Sequence, residues 1–268
     1  MNYKLIAVDL DGTLTNTEKK VTPRNINILV KAQQSGIRLC IVSGRPLLGT
    51  IHIAQELRMN EYEGIIIACN GGVIINCQTQ ETYLNLTLPN ETIPLIYNYA
   101  KKNGECLFTF CGKHIITENP ENRHIQISAL RNMMTIKPSD NFLNDIELPL
   151  NKCVIAEDQD KAEQAEKQLQ KFFEGRITAL RTEPYFIELV PLGIDKGKAL
   201  AKLAKKLHID RKEIIAFGDG FNDQTMIKYA GMGIAMQNAQ APVKEVANMI
   251  TASNDDDGVA SALEKLIL

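Results

Sequence analysis

The chain has 268 residues, 44% of them hydrophobic, enough to bury one large core or two modest ones. Its 30 Lys and Arg nearly balance 32 Asp and Glu, leaving a net charge of −2, which argues against a polyanion-binding surface, a nucleic-acid partner or an acidic tail. Met-Asn-Tyr-Lys runs into Leu5-Ile6-Ala7-Val8 before acidic residues interrupt, too short a run for a signal-peptide core, and no apolar stretch approaches a membrane span.

Residues 5–10 are apolar on both faces, as a central parallel strand is. A helix follows, with Thr22 as its cap, Pro23 in its first turn, Ile26, Leu29 and Val30 at helical spacing and Gly36 closing it. Residues 37–42 read as a second strand. Ser43-Gly44-Arg45-Pro46 then opens a helix whose inward side carries Leu47, Ile51, Ala54 and Leu57, and residues 64–69 form a third strand. This order predicts an α/β fold, a doubly wound parallel sheet with right-handed crossovers.

From residue 84 to 187 the pattern changes to helices mixed with hairpins. One hairpin joins 106–110 to 114–117 across Cys111-Gly112-Lys113, a charged helix covers 158–172, and a second hairpin joins 177–180 to 186–190 across a loop with Pro184. We read an α+β domain inserted into a discontinuous core of residues 1–83 and 188–268. The α/β grammar returns with a helix over 196–207, a strand over 213–217 entering Gly218-Asp219, and a helix over 223–230. Short strands at 233–236 and 249–251 then flank a helix started by Pro242. Asp255-Asp256-Asp257 reads as a solvated turn capping the last helix, which carries Val259, Leu263 and Leu266. The six cysteines (Cys40, Cys69, Cys77, Cys106, Cys111, Cys153) lack CxxC spacing and read as reduced thiols of a cytoplasmic protein.

In open parallel sheets functional groups gather beyond the carboxyl ends of the strands. Asp9 and Asp11 end the first strand, Ser43 the second, Lys196 starts a late helix, and Asp219, Asn222 and Asp223 follow a late strand. Together they fit phosphate-ester hydrolysis. Asp9 is a carboxylate nucleophile, and an aspartyl-phosphate splits one hard displacement into two easier ones. Asp11 can give a proton to the leaving group and later take one from water. Clustered carboxylates repel each other and an incoming phosphate unless a cation sits among them, and Asp9, the Asp11 carbonyl and Asp219 offer hard oxygens to Mg2+. Ser43 and the Gly44 amide suit phosphoryl oxygens at a helix N-terminus, with Lys196 adding positive charge.

These residues resemble the haloacid dehalogenase superfamily of phosphohydrolases, with four motifs in order: Asp9-Leu10-Asp11-Gly12-Thr13, Ser43, Lys196 and Gly218-Asp219-Gly220-Phe221-Asn222-Asp223. The insertion after Asn70-Gly71-Gly72, together with Asp195-Lys196-Gly197, is similar to the Cof-type subfamily, whose cap domain follows the third core strand. The resemblance implies Asp9 as nucleophile, Asp11 as acid/base and magnesium on Asp9, the Asp11 carbonyl and Asp219, with Asp223 orienting the metal shell. It further implies phosphate held by the Leu10 amide, Ser43, Gly44, Lys196 and Asn222. Ser43 stands where many relatives have Thr.

Arg45 is expected to reach substrate or brace its loop, and Asn70 is placed with it. His114, His124, Arg131, Arg181, Glu183 and Tyr185 are candidate substrate selectors in the insertion, while Phe108 and Phe110 are assigned to its core. The expected function is a Mg2+-dependent phosphatase of a small phosphorylated metabolite, a monomer or weak homo-oligomer without nucleic-acid or membrane partners. The rivals are a phosphomutase or phosphotransferase on the same scaffold, and a receiver-like module that signals through a phosphorylated Asp.

Overall fold

The computed structural model describes residues 3–267. β1 (Leu5–Val8) is buried along its whole length and pairs in parallel with β2 (Arg38–Val42). Between them runs α1 (Pro23–Gln34), whose Thr22 cap accepts a hydrogen bond from the Asn25 amide. Pro23 sits in the first turn, where its missing N–H leaves no bond unmade. After α2 (Leu48–Glu56), β3 (Ile65–Ala68) adds parallel to β2. α2 begins only at Leu48, so Ser43 and Gly44 lie in a loop ahead of the helix and not at its N-terminus as expected. Backbone bonds from the Ser43 amide to the Ile67 carbonyl and from the Asn70 amide to the Ser43 carbonyl hold that loop against the end of β3.

Cys69, Asn70 and Gly71 follow with φ of 52°, 56° and 105°. Three left-handed residues in succession reverse the chain, and at Gly71 an added Cβ would come within 2.8 Å of the Asp195 carbonyl oxygen. β4 (Val73–Asn76) therefore returns antiparallel to β3, and β5 (Thr82–Asn85) follows it. This edge hairpin is missing from the sequence reading.

The next elements are α3 (Thr92–Asn103), β6 (Cys106–Cys111), β7 (His114–Thr117), α4 (Arg123–Asn132) and β8 (Thr135–Pro138). They continue with α5 (Phe142–Asp145), β9 (Cys153–Ala156), α6 (Gln159–Phe172), β10 (Ile177–Glu183) and β11 (Phe186–Pro191). The chain then returns to the first sheet through α7 (Lys196–Leu207), β12 (Ile214–Gly218), α8 (Gln224–Tyr229), β13 (Met232–Ala235), α9 (Ala241–Val246), β14 (Met249–Ile250) and α10 (Gly258–Leu266).

Among the described residues the strands form two sheets, ordered β14-β13-β12-β1-β2-β3-β4-β5 and β10-β11-β9-β6-β7-β8. The first is parallel from β14 through β3, an α/β doubly wound sheet as the sequence predicts, with the β4–β5 hairpin added at one edge. Its core packs Leu5, Ile41, Ile66, Phe217 and Ile234 with helix residues such as Leu29, Leu200 and Leu263. Each such side chain contributes on the order of 1.5–3 kcal/mol when fully buried. The second sheet carries Leu107, Ile155, Ile187 and Leu189 against Ile96, Leu169 and Phe173.

The chain divides into two compact units, one running to Leu84 and resuming at Asp195, the other Asn85–Ile194. The return boundary drawn at 187/188 needs correction, because it cuts β11, whose residues pair with β9 and β10 of the second sheet. Strand pairing keeps the chain in that unit as far as Pro191, and the unit itself runs to Ile194. All six cysteines are unpaired thiols, five buried and Cys106 half-buried. Among the described residues no helix is long and apolar enough to cross a membrane.

Candidate active site

The parallel register sets Val8 beside Phe217 and Ile41, so the chain leaves β1, β2 and β12 at one end of the sheet. Asp9 follows β1, its amide donating to the Phe217 carbonyl at 3.1 Å, and its side chain is buried. Lys196, at the first position of α7, is 1% exposed and places Nζ 2.6 Å from both Asp9 Oδ1 and Asp223 Oδ1. The other oxygen of Asp223 accepts from the Asp219 and Gly220 amides at 3.0 and 2.9 Å, which folds the turn after β12 around it. Thr13 Oγ1 donates to Asp219 Oδ1 at 2.7 Å and fixes that carboxylate from the loop after the neighbouring strand β1.

Asp9, Asp219 and Asp223 each offer a carboxylate oxygen within 4.8 Å of the others. Burial, then the charge of Asp223, raises the Asp9 carboxyl well above the usual carboxylate range in spite of Lys196. Burial with the charge of Asp223 likewise pushes Asp219 up to about 6, against the bond from Thr13. Burial opposes the charge on Lys196, but Asp223 and Asp9 outweigh it and hold the ammonium above the usual lysine range. The cluster therefore carries more negative charge than Lys196 offsets. A compact set of hard oxygens with surplus charge suits a small divalent cation.

Gly12 has φ of +87°, and an added Cβ would lie 2.5 Å from Asp219 Oδ2. Only glycine lets the loop pass this close to that carboxylate.

Asp11 lies beside this cluster in a different environment. Arg45 donates from Nε to Asp11 Oδ2 and from Nη2 to Asp11 Oδ1, both at 2.8 Å, and Lys19 Nζ is 3.0 Å from Oδ1. Burial works against ionisation of Asp11, but the Arg45 fork and then Lys19 outweigh it and hold its carboxyl well below the usual range. Arg45 also donates from Nη1 to the Gly49 carbonyl at 3.2 Å and is itself buried. Its guanidinium thus holds the second aspartate of the motif and its own loop.

Asn222 donates from Nδ2 to Asn70 Oδ1 at 2.9 Å, and an added Cβ at Gly44 would meet the Asn70 side chain at 3.2 Å. The Ser43 loop, the left-handed turn after β3 and the turn after β12 therefore close on one another through Asn70. Ser43 Oγ accepts from the Arg45 amide at 3.1 Å. Asp9, Leu10, Asp11, Ser43, Gly44, Arg45, Lys196, Asp219, Asn222 and Asp223 are thus brought to one end of the first sheet. Thr13 and Lys19 were not singled out in the sequence. Thr13 lies inside the first motif and could have been found there, whereas Lys19 follows it in a polar turn with no local signal.

In the second unit four of the candidate selectors engage one another and two engage other residues. His124 stacks on Tyr185 with ring centroids 4.2 Å apart, Arg131 pairs with Glu183, and Arg181 Nε lies 3.6 Å from Glu166. His114 Nδ1 lies 2.7 Å from Thr135 Oγ1. Phe108 and Phe110 pack edge to face with centroids 5.5 Å apart, but the unit's apolar core takes Leu107 and Cys111 of the same strand instead, because alternate residues of β6 face opposite sides of the sheet; Phe108 is buried and Phe110 half-buried on the other face.

A model of the haloacid dehalogenase-like hydrolases matches residues 6–263, and the chain belongs to that family. A haloacid dehalogenase-like hydrolase from Bacteroides thetaiotaomicron is 48% identical in sequence, with a TM-score of 0.96 over 99% of this chain and 100% of that one. The 5-amino-6-(5-phospho-D-ribitylamino)uracil phosphatase YcsE of Bacillus subtilis is 32% identical over 269 residues, covering 100% of this chain and 97% of that protein. The phosphatase YwpJ of the same organism is 27% identical over 288 residues, 98% of this chain and 100% of that one. The protein is an enzyme, a phosphatase of this family acting on phosphorylated substrates.

Proposed function

We propose that the protein is a Mg2+-dependent phosphatase of a small phosphorylated metabolite, working through an aspartyl-phosphate on Asp9. The observation that carries this reading is the buried Asp9, Asp219 and Asp223 cluster with Lys196 Nζ 2.6 Å from two of its members. Asp9, the Asp11 carbonyl and Asp219 would hold the ion, and Asp223, already bonded to Lys196 and two amides, would orient them. When bound, magnesium supplies charge neutralisation to the phosphoryl oxygens.

The chain's own groups do the rest. An Asp9 oxygen attacks phosphorus, the bond from phosphorus to the ester oxygen breaks, and Asp11 gives that oxygen a proton. Water then attacks the aspartyl-phosphate while Asp11 takes its proton, releasing phosphate and free Asp9. As held by Arg45 and Lys19, Asp11 is in the ionised form suited to the second half-reaction. The first half calls for a protonated carboxyl, hence for loosening of the Arg45 fork when substrate is bound. Ser43, the Gly44 and Leu10 amides, Lys196 and Asn222 hold the phosphoryl oxygens. Substrate choice falls to the inserted unit, and the compartment we assign is the cytoplasm.

The test is phosphate release from a panel of sugar phosphates, nucleotides and cofactor phosphates, including 5-amino-6-(5-phospho-D-ribitylamino)uracil, with and without magnesium. Turnover is expected only with magnesium and is abolished in Asp9→Asn. Undiminished turnover in chelator, or full activity of that variant, refutes the mechanism. An isomeric phosphate with little free phosphate redirects the assignment to a mutase.

A further inference from the structure

The loop that follows the first motif is held at four places by one distant segment. Asn238 Nδ2 donates to the Gly12 carbonyl at 2.7 Å, and Asn254 Nδ2, from a buried side chain, to the Thr15 carbonyl at 3.0 Å. Asp255 accepts from the Thr17 amide at 2.8 Å and from Thr17 Oγ1 at 2.6 Å. Asp257 accepts from Thr22 Oγ1, the cap of α1. The acidic turn expected to cap the last helix makes no such cap, because Asp257 precedes α10 with φ of 54° and no side-chain bond into it. The carboxylates of Asp255 and Asp257 are turned to residues 17 and 22 instead, while that of Asp256 accepts from Ser253 Oγ.

The splinted loop is tied to Asp11 in two ways. Bridge pairing links Asp11 to Thr15 and Thr15 to Val21, so a shift at Thr15 is transmitted to Asp11. The same loop carries Lys19 to within 3.0 Å of Asp11 Oδ1. Asp9 shares one bond with this loop, from the Leu14 amide to its carbonyl at 3.2 Å, but its amide on the Phe217 carbonyl and its carboxylate on Lys196 are anchors that the loop does not supply.

Resting on the phosphatase reading above, we propose that the segment from Asn238 to Asp257 is a positioning splint for the acid/base residue. Asn254 and Asp255 keep the loop in the register that points Asp11 at the leaving-group oxygen. Neither residue touches substrate. Their removal displaces the Asp11 carboxylate, which the loop holds through Lys19, and leaves Asp9 and the Asp11 carbonyl in place.

Leaving-group dependence separates the two. The step reported by kcat/KM needs a proton for an alkoxide leaving group, whereas p-nitrophenolate departs unaided. In Asp255→Ala, kcat/KM for the best alkyl phosphate of the panel is expected to fall about tenfold, a partial loss of a general-acid contribution of order 10²-fold or more. The value for p-nitrophenyl phosphate should change less than about twofold. Asp255→Asn, which retains an acceptor for Thr17, should recover part of the loss, and Thr17→Val should show the same selectivity with a second, near-isosteric change. Lys20→Met, which removes an exposed pairing with Glu18, should leave both substrates unaffected. Equal losses on both substrates, or no loss on either, overturn the splint. If wild type works without magnesium or Asp9→Asn stays active, it is the phosphatase mechanism that fails, whatever the Asp255 variants do.

Discussion

Replacing Lys196 by Met removes the ammonium that lies 2.6 Å from both Asp9 Oδ1 and Asp223 Oδ1, with all three side chains at most 8% exposed. The methionine fills similar space but leaves two carboxylates facing each other out of water. Breaking a buried ion pair from one side costs about 3–5 kcal/mol, and here both pairs share the lysine. The cost should be largest in chelator at neutral pH. It should shrink with added magnesium, which replaces part of the lost charge, and with acid, because a protonated carboxyl no longer needs a cation. The sign follows from linkage: in the variant Asp9 is raised further, so the native state binds more protons than the unfolded chain, and stability falls as pH rises above the ordinary carboxylate range. Urea unfolding of both proteins at pH 5 and 8, with chelator and with magnesium, measures this. A destabilisation under about 1 kcal/mol in chelator at pH 8 would refute the view that Lys196 compensates buried charge.

Gly12→Ala should cost about 1–2 kcal/mol and at least tenfold in kcat, since it strains a φ of +87° and drives a methyl group to 2.5 Å from Asp219 Oδ2; unfolding and turnover report the two losses separately. Glu105 has a buried Oε2 without a hydrogen-bond partner, and burial with Glu157 nearby pushes its carboxyl up to about 7. An acid raised in the native state loses stability as pH climbs from its unfolded value through 7, so Glu105→Gln should gain about 1 kcal/mol at pH 8, after solvent screening, and nothing near pH 4, by urea unfolding. In the second unit Lys152 and Glu188 form an ion pair with side chains 4% and 8% exposed. Lys152→Met alone should cost about 3–5 kcal/mol, while Lys152→Met with Glu188→Leu should restore most of it, as a double-mutant cycle will show.

The strands bearing Asp9, Ser43 and Asp219 were legible in the sequence because each is a continuous apolar run ended by a polar residue. Lys196 was found through its order in the motif set. What escaped is of another kind. The β4–β5 edge hairpin is short and partly exposed, and its reversal is written in backbone conformation at Cys69 and Asn70, which residue type does not announce. The true end of the inserted unit was missed because β11 is apolar apart from Glu188 and buried along its whole length, and only its antiparallel partners β9 and β10 tell which sheet it joins. Arg45 was marked as reaching substrate or bracing its loop, but its partner Asp11, 34 positions away, carried no local signal. Asn254 and Asp255 meet residues 239 and 238 positions earlier, a pairing that no local pattern encodes.

The placement of β1 between β2 and β12 has a consequence for synthesis. When the first 84 residues have left the ribosome, β1 has its neighbour β2 but not β12, and Asp9 lacks both Lys196 and the Phe217 carbonyl. The intervening unit is continuous in sequence and has its own core, so it can complete its sheet first. Until residue 218 emerges, the growing chain holds its nucleophile in an unfinished site and presents an open strand edge, where association with other nascent chains begins. Catalytic competence arrives late, only once β12 and the turn from Asp219 to Asp223 have joined β1.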